Sequence, residues 1–180
     1  MITEKPKNYR KRPPRKKEDD LDSQLLDLAR VVRMTAAGRR LRFRAVVIIG
    51  DKKGSIGLGV AKGQDVSLAM EKARRIAKKN MVKIEMTEDS IPHEVEAKFG
   101  SARVLLKPQR KGRGLIAGGT VRIICTLVGI KNVSSKMLSK TKNKLNNARV
   151  TIKALEKLRL QQDDQKKVEV KTEIEELKVF

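Results

Sequence analysis

The chain has 180 residues, of which 43 are Lys or Arg and 21 are Asp or Glu, so its formal net charge is +22. This length suits one ordinary domain or two small ones. Lys and Arg in such excess repel one another unless a polyanion neutralises them, and nucleic-acid phosphates do so while releasing counterions. The composition therefore predicts a nucleic-acid-binding protein.

Other classes of protein fit the composition poorly. A membrane-surface helix needs bulky apolar or aromatic anchors, whereas this chain has no Trp, one Tyr and three Phe. Its single cysteine, Cys125, excludes an intramolecular disulfide framework and fits a reducing compartment. Residues 1–20 lack the apolar segment of a secretion signal. We expect a cytoplasmic protein that does not bind membranes.

The two ends of the chain differ in composition from its middle. Residues 1–20 contain eight Lys or Arg, three Pro and one large aliphatic residue, which predicts a disordered basic arm. Residues 161–180 are a mixed-charge tail. Between residues 21 and 160, 31 Lys or Arg stand against 11 Asp or Glu, a difference of about +20. The positive charge therefore belongs to the folded body.

Residues 21–84 carry the pattern of a small α+β domain. The stretch 41–49 alternates, with apolar residues on one face and Arg42 and Arg44 on the other, which predicts a strand. A turn at 50–54 leads to a second strand at 55–60. An earlier strand is expected over 31–37, with a hairpin at 37–40. From Asp65, a plausible N-cap, apolar residues recur at the helical spacing of one face: Val66, Ala69, Met70, Ala73, Ile76 and Ala77.

A second small domain is expected over residues 85–160. Residues 85–97 are acidic and contain Pro92, which indicates a connection. Residues 102–106 are expected to form a strand. Residues 107–119 form a loop rich in Gly and Arg. The apolar run 121–130 is ambiguous, because its β-branched residues favour a strand while the residues before it resemble a helix start. A last helix is indicated by Val150, Leu155 and Leu158, with Ile152 close to the same stripe.

Two glycine motifs resemble nucleotide sites only loosely. Residues 112–117 match a dinucleotide fingerprint, but no buried strand precedes them and no acid follows at about 20 residues. Residues 54–59 lack the Gly-Lys-Ser/Thr end of a phosphate-binding loop. These glycines are better explained inside a strand where another backbone or a phosphate comes close.

The sequence offers little material for catalysis. His93 is the only histidine and lies in the connection, while Cys125 lies in an apolar run and is expected in the core. Glu94 and Glu96 form a close acid pair in the connection. One His and one Cys cannot fill a zinc site. We expect no enzyme, no cofactor and no metal.

The basic residues lie on turns and strand faces with few acids between them. Scarce aromatic residues argue against stacking of single-stranded bases and favour helical RNA read by its shape and backbone. The candidate contacts from this pattern are Arg39, Arg40, Arg42, Arg44, Lys52, Lys53, Lys62, Arg110, Lys111 and Arg113.

Several spaced blocks resemble one family. The first block contains Gly38-Arg39, Phe43, Ala45, Ile48-Ile49-Gly50-Asp51, Gly54, Ile56-Gly57 and Gly59. Later blocks are Glu71-Lys-Ala-Arg74, Asn80-Met81, Gly112-Arg-Gly-Leu-Ile-Ala-Gly-Gly119 and Val128-Gly-Ile-Lys-Asn-Val133. In this order they resemble the bacterial type of small ribosomal subunit protein five, over about Leu21 to Leu158.

The resemblance implies a domain similar to double-stranded-RNA-binding domains, then a two-layer β/α domain in which 121–127 is helical. It implies a structural protein that binds small-subunit ribosomal RNA at the head–body junction, affects translational accuracy and lies on the messenger RNA entry side. Its neighbours would be proteins four and eight. By position, residues 30–40 would be an extended loop on the RNA, which adds Arg30, Arg33 and Gly38, and Gly114 and Arg122 would lie near protein four.

Departures from the family and competing functions remain. The family's usual Lys-Gly-Gly-Arg loop is Ala36-Ala37-Gly38-Arg39 here, so the tip of the hairpin can differ in shape. A free regulator that binds double-stranded RNA would need only residues 21–84. An enzyme acting on nucleotides is the third alternative, and the missing phosphate-binding Lys or Ser argues against it. An organellar ribosome is compatible with the departures.

Overall fold

A computed structural model describes residues 21–84, 86 and 89–158 of the chain. Its first unit is an antiparallel sheet with strand order β1-β2-β3-β4. The strands are β1 (Asp22–Thr35), β2 (Gly38–Gly50), β3 (Ser55–Gly63) and β4 (Met81–Lys83), and helix α1 (Val66–Lys79) connects β3 with β4. The predicted α+β class is confirmed. The predicted arm, 1–20, and tail, 161–180, lie outside the described residues.

The second unit is a smaller sheet with helices against it. It contains β5 (Val95–Phe99), β6 (Ala102–Pro108), β7 (Leu115–Ile116), α2 (Gly119–Val128) and β8 (Val133–Met137), and a helix α3 described over residues 144–158. Its strand order is β5-β6-β8-β7, and β7 and β8 run parallel, joined by α2. A parallel pair needs a crossover of this kind.

The hairpin of the first sheet is longer than the sequence pattern indicated. The strand expected over 31–37 is the 14-residue β1, which begins at Asp22, and the turn lies at residues 36–37, since Gly38 already pairs with Thr35. The Thr35 hydroxyl donates to the Gly38 carbonyl oxygen at 2.9 Å and closes the turn. Alternation was weak in β1 because most of its side chains are exposed and a bulge at Leu26 shifts the register.

The structure adds two short strands to the predicted pattern and decides the one ambiguous segment. A short fourth strand, β4, follows α1, and β5 begins inside the expected connection at Val95. The ambiguous run 121–130 is helical, as the resemblance implied. Helix α2 ends at Gly129, whose φ of 101° is the left-handed conformation common after helix ends. Strands this short give too little periodicity to be recognised from sequence.

Small residues let helix α1 approach the first sheet closely. Every second residue of β3 on this face is Gly or Ala: Gly57, Gly59, Ala61 and Gly63. They face Ala69, Ala73 and Ala77 of the helix. A Cβ atom on Gly59 would lie 2.0 Å from the carbonyl oxygen of Ala73. The glycines of residues 54–59 are thus placed where another backbone comes close, as the sequence indicated.

The opposite face of the same sheet packs against the second unit. Val46, Ile48 and Ile56 belong to one hydrophobic cluster with residues of the second sheet, α2 and α3, such as Val104 and Leu155. The first sheet is therefore covered by α1 on one face and by the second unit on the other. The two units share a continuous core, and the boundary near residue 84 stays a prediction.

Candidate nucleic-acid interface

The hairpin of β1 and β2 extends past both covering layers and carries basic residues on one face. Residues paired across antiparallel strands project to the same face. Arg33 pairs with Arg40, Val31 with Arg42, and Arg44 with Lys62 of β3. Five of the predicted RNA contacts therefore share the face that is continuous with the second unit: Arg33, Arg40, Arg42, Arg44 and Lys62.

Four of these cations line a concave site of about 410 Å³ on the hairpin. Its lining residues are Val31, Val32, Arg33, Thr35, Arg40, Arg42 and Lys62. No acid is among them, and all four cations are exposed. Guanidinium groups offer planar, paired donors that match phosphate oxygens. Among the described residues, these four cations form no ion pair that a phosphate backbone would have to displace.

Arg44 has a different environment from the other four cations. It is half-buried, and one of its guanidinium nitrogens lies 3.7 Å from a carboxylate oxygen of Asp27. The other oxygen of Asp27 lies 3.4 Å from Nζ of Lys144 at the start of α3. Asp27 thus ties the base of the hairpin to the second unit. Arg44 therefore lies on the basic face but is engaged with Asp27 at its base.

The reverse face of the hairpin combines two cations with exposed apolar side chains. Arg30 pairs with Phe43, and Arg39 with Met34. The exposed apolar residues of the hairpin are Leu28, Val32, Met34 and Leu41. Leu41 lies on the face predicted to be apolar but is 44% exposed, because α1 does not extend far enough to cover it.

The turn at Lys52 and Lys53 is fixed by hydrogen bonds to helix α2. Oδ1 of Asp51 accepts bonds from the backbone N–H groups of Lys53 and Ser55, both at 2.8 Å. Burial raises the pKa of Asp51, but these bonds outweigh burial and hold its pKa below the ordinary value. The backbone N–H of Lys52 donates to the carbonyl oxygen of Leu127 at 2.9 Å, at the end of α2. Cations are favourable there because helix dipoles place negative charge at this end.

Both lysines of this turn are exposed, and Lys52 forms an ion pair within the described residues. The ammonium of Lys52 contacts the carboxylate of Asp22 at the start of β1. Exposed pairs of this kind contribute little to stability and exchange readily with other anions. The turn is therefore a second positive surface, separate from the concave site of the hairpin.

A third positive surface lies on the loop before β7. Arg110, Lys111 and Arg113 are exposed, and Gly112 and Gly114 adopt left-handed φ values of 91° and 75°. The N–H of Gly114 donates to the side-chain oxygen of Asn132, which is buried, at 3.2 Å. This bond holds the loop against β8.

Arg122, one of the two residues expected near protein four, is exposed in the first turns of α2. Its backbone N–H donates to the carbonyl oxygen of Gly118 at 2.8 Å, so the helix begins with a closed turn. Gly114 is half-buried. Neither residue lines the concave site of the hairpin.

Cys125 and Glu94, two of the residues considered for catalysis, have environments typical of structural residues. Burial raises the pKa of the Cys125 thiol to about 12, and Glu94 is paired with Lys107 at 3.2 Å. Within the described ranges, no group of three or more His, Cys, Asp or Glu could hold a metal ion. In the same part of the chain, no helix has the length and apolar character needed to cross a membrane.

Comparison with known families decides which family these features belong to. A family model described as "Ribosomal protein S5, N-terminal domain" matches residues 21–85, and "Ribosomal protein S5, C-terminal domain" matches residues 97–168. The chain belongs to the ribosomal protein S5 family. The N-terminal S5 match contains the whole hairpin, and the C-terminal S5 match contains the basic loop and Arg122.

Curated relatives agree with this assignment along most of the chain. Small ribosomal subunit protein uS5c of Phaeodactylum tricornutum is 43% identical over 142 residues, 78% of this chain and 80% of the relative. The uS5c protein of Emiliania huxleyi is 40% identical over 159 residues, 88% and 98% of the two chains. Protein uS5 of Thermus thermophilus is 40% identical over 146 residues, 81% and 90%.

Sequence reasoning found the cations of the S5-type hairpin but missed the side chains that shape the site around them. Val31, Val32 and Thr35 line the concavity, and Asp27 anchors its base. Leu28, Val32 and Met34 lie on one face of β1, and this alternation was the sequence signal that could have indicated a strand there. It was hard to use because a polar strand that is exposed on both faces resembles a loop.

Proposed function

We propose that this chain is a structural constituent of the small ribosomal subunit that binds small-subunit ribosomal RNA at the head–body junction and contributes to translational accuracy. One observation carries the proposal, namely the concave site in which four exposed cations stand together without an acid. It lies in a member of a family whose curated relatives are named small ribosomal subunit proteins. We expect the chain in ribosomes, of the cytoplasm or of an organelle.

The three positive surfaces suit RNA that is read by shape and backbone. A two-stranded ribbon with Arg on one face can follow a line of phosphates, and guanidinium groups bind them in pairs. The proposed contacts are Arg30, Arg33, Gly38, Arg39, Arg40, Arg42 and Lys62 on the hairpin, Lys52 and Lys53 on the turn, and Arg110, Lys111 and Arg113 on the loop, with Arg44 as a supporting residue. Few aromatic rings are available for stacking.

We expect no enzymatic activity and no cofactor requirement. A thiol with a pKa of about 12 is protonated at neutral pH and is a poor nucleophile. The carboxylate of Glu94 is engaged with Lys107. A structural role that depends on charge and shape uses the positive surfaces described above and needs no reactive group.

Protein partners are proposed for the second unit. Gly114 and Arg122 would contact neighbouring protein four, protein eight would be a further neighbour, and the chain would lie on the messenger RNA entry side. Arg122 is exposed and close in sequence to the fixed loop, so it can present a rigid contact. A photo-cross-linking residue at position 122 in assembled small subunits should capture protein four. Capture of RNA alone would contradict this assignment.

Sedimentation of a cell lysate through a sucrose gradient tests the ribosomal assignment directly. The protein should migrate with small subunits and with whole ribosomes, and should stay with them after a wash at moderate salt. A protein that remains at the top of the gradient, with none in the small-subunit fractions, would refute the ribosomal role.

The hairpin assignment has its own test, which is RNA affinity as a function of salt. Replacing Arg33, Arg40 and Arg42 by Ala should weaken binding to small-subunit RNA and reduce the log–log salt slope by about one unit per lost phosphate contact. The matched control replaces three exposed cations of α1, Lys72, Arg74 and Arg75, by Ala. The two variants lose the same charge, so equal losses in both would show attraction by net charge alone and contradict the hairpin site.

A further inference from the structure

The reverse face of the hairpin, opposite the concave site, carries a strip of apolar side chains that no other described element covers. These are Leu28, Val32, Met34 and Leu41, which are 42%, 53%, 67% and 44% exposed. We call them the reverse strip. Strand pairing places Val32 beside Leu41 and Met34 beside Arg39. Apolar side chains that are exposed next to one another, rather than singly, mark interaction surfaces.

Two exposed cations on the reverse face favour a polyanion as the partner of the strip. Arg30 and Arg39 project from this face, because their pairing partners are Phe43 and Met34. The paired residues of this face between positions 28 and 43 include no acid. Within the described residues, neither arginine forms an ion pair. A guanidinium plane binds phosphates and also stacks on bases.

The reverse strip is continuous with the concave site around one edge of the sheet. Strand β1 is the edge strand, and Val32 borders the concave site as well as the strip. Beyond α1 the hairpin is a single layer of two strands, so its two faces are separated only by about 10 Å, the spacing of stacked sheets. An RNA segment that lies on the concave site therefore has neighbouring nucleotides within reach of the reverse strip.

A second copy of the chain is a poorer partner for the strip. Residues 28–34 span about 24 Å at about 3.4 Å per residue, and two strands are about 10 Å wide. The resulting area of roughly 240 Å² is well below the about 800 Å² per partner that a stable protein interface buries. Contact between two such strips would also bring the arginines of both copies together.

The chemistry of the strip selects the kind of nucleotide that fits it. In an RNA helix the faces of the bases are stacked on one another, and bases in loops, bulges and ends expose them. An exposed base face is flat and largely apolar. It can pack on Met34 and Leu41, which the register places diagonally across the two strands. The guanidinium of Arg39, directly opposite Met34, can stack on the same base or on the next one.

We infer that the reverse strip packs Met34 and Leu41 on unstacked bases that adjoin the RNA helix held by the concave site. The inference rests on the proposed RNA-binding function and adds contacts with bases to contacts with phosphates. Phosphate contacts release counterions and weaken with added salt, whereas packing on a base releases none. The cations therefore set the slope of RNA affinity against salt, and the strip contributes affinity without changing that slope.

Titration with transcribed small-subunit ribosomal RNA at several salt concentrations tests the strip. The double variant Met34→Ser, Leu41→Ser should bind at least about fivefold more weakly at every salt concentration, with the log–log slope of the wild type. Leu138→Ser is the control, because it removes a side chain that is 49% exposed on the second unit, and it should bind like the wild type. Wild-type affinity of the double variant, or a changed slope, would overturn the inference.

Two additions make this titration decisive. A continuous RNA duplex without loops or bulges should bind the wild type and the double variant equally, and a loss equal to that on ribosomal RNA would contradict contact with unstacked bases. If the urea midpoint shows that the double variant does not fold, Met34→Ser alone replaces it, since Met34 is the most exposed residue of the strip.

The variant with Arg33, Arg40 and Arg42 replaced by Ala distinguishes failure of this inference from failure of the proposed function. A reduced salt slope in that variant, together with no effect of the strip substitutions, would reject the strip alone. No specific binding of ribosomal RNA by the wild-type chain would reject the RNA-binding role and the inference with it.

Photo-cross-linking in assembled small subunits identifies what covers the strip. A diazirine analogue in place of Met34 should label ribosomal RNA. Reverse-transcription stops should fall on nucleotides whose bases react with dimethyl sulfate in the free RNA, which marks them as unpaired. Labelling of a protein, a second copy of this chain included, or of paired nucleotides alone would overturn the inference.

Discussion

The base and the tip of the hairpin of β1 and β2 differ sharply in how far their side chains are buried. At the base, Val46 and Ile48 are fully buried between α1 and the second unit. At the tip, Val32 is 53% exposed and Met34 is 67% exposed, although the ladder of β1 and β2 continues to Gly38. Both regions are antiparallel pairs of the same two strands, apart from the bulge at Leu26 in the base. The layers that cover the base are missing at the tip.

Under the proposed function, this difference separates a region that stabilises the fold from a region that binds RNA. The base contributes apolar burial, which is the dominant favourable term in folding. The tip contributes little burial, so its side chains are free to serve as a binding surface with little effect on the core. In this protein that surface contains Arg33, Arg40 and Arg42. Substitutions matched between the two regions test this difference.

The largest effect is expected at the contact between β3 and α1. In Gly59→Ala the new Cβ would meet the backbone oxygen of Ala73 at 2.0 Å, so the helix must move away from the sheet. We expect a loss of about 3 kcal/mol or more in unfolding free energy, measured by urea denaturation. Gly119→Ala is the control, because no atom lies within 4 Å of its Cβ and Ala is favoured in a helix. Equal losses at both glycines would contradict the close approach.

A matched pair of valines tests the two halves of the hairpin directly. Val46→Ala at the base should lower the unfolding free energy by about 2 kcal/mol, through two lost methyl groups and the cavity they leave. Val32→Ala at the tip should change it by less than about 0.5 kcal/mol. Similar values from thermal or urea unfolding would mean that the tip is covered in the free protein.

The Asp51 turn provides a pH-dependent effect of intermediate size. Asp51→Ala removes the acceptor of two backbone N–H groups and should cost about 1–2 kcal/mol at neutral pH. The folded-state pKa of Asp51 is lowered, so this stabilisation is fully present above the ordinary pKa of 3.8 and is lost as pH falls through the folded value. The difference between wild type and Asp51→Ala should therefore shrink in acid, as unfolding at several pH values will show. Asp51→Asn keeps an acceptor and should cost less at neutral pH.

The smallest effect is expected at the exposed pair of Asp22 and Lys52. Both side chains are more than half exposed, so Asp22→Ala should change the unfolding free energy by less than about 0.5 kcal/mol, and added salt should remove even that. A loss above 1 kcal/mol at high salt would show that the start of β1 depends on this pair.

Much of the fold was accessible from sequence where periodicity was strong. The alternation from Leu41 to Ile49 and the helical spacing after Asp65 predicted β2 and α1 correctly. The glycines of β3 were expected where another backbone or a phosphate comes close, and it is the backbone of α1 that they meet. Sequence patterns missed the strands β4 and β7, because two or three residues are too few to show a hydrophobic period. The start of β1 was misplaced, because most of this strand is polar and exposed.

The sequence by itself determined the charge, the α+β class and the family-like blocks, because these depend on composition and local spacing. Only the tertiary structure decided which cations act together. Strand register brought Arg33, Arg40, Arg42 and Lys62 to one concavity, turned Arg39 to the reverse face and tied Arg44 to Asp27. Residues up to 29 positions apart in the chain become neighbours through pairing, and no local pattern encodes that pairing.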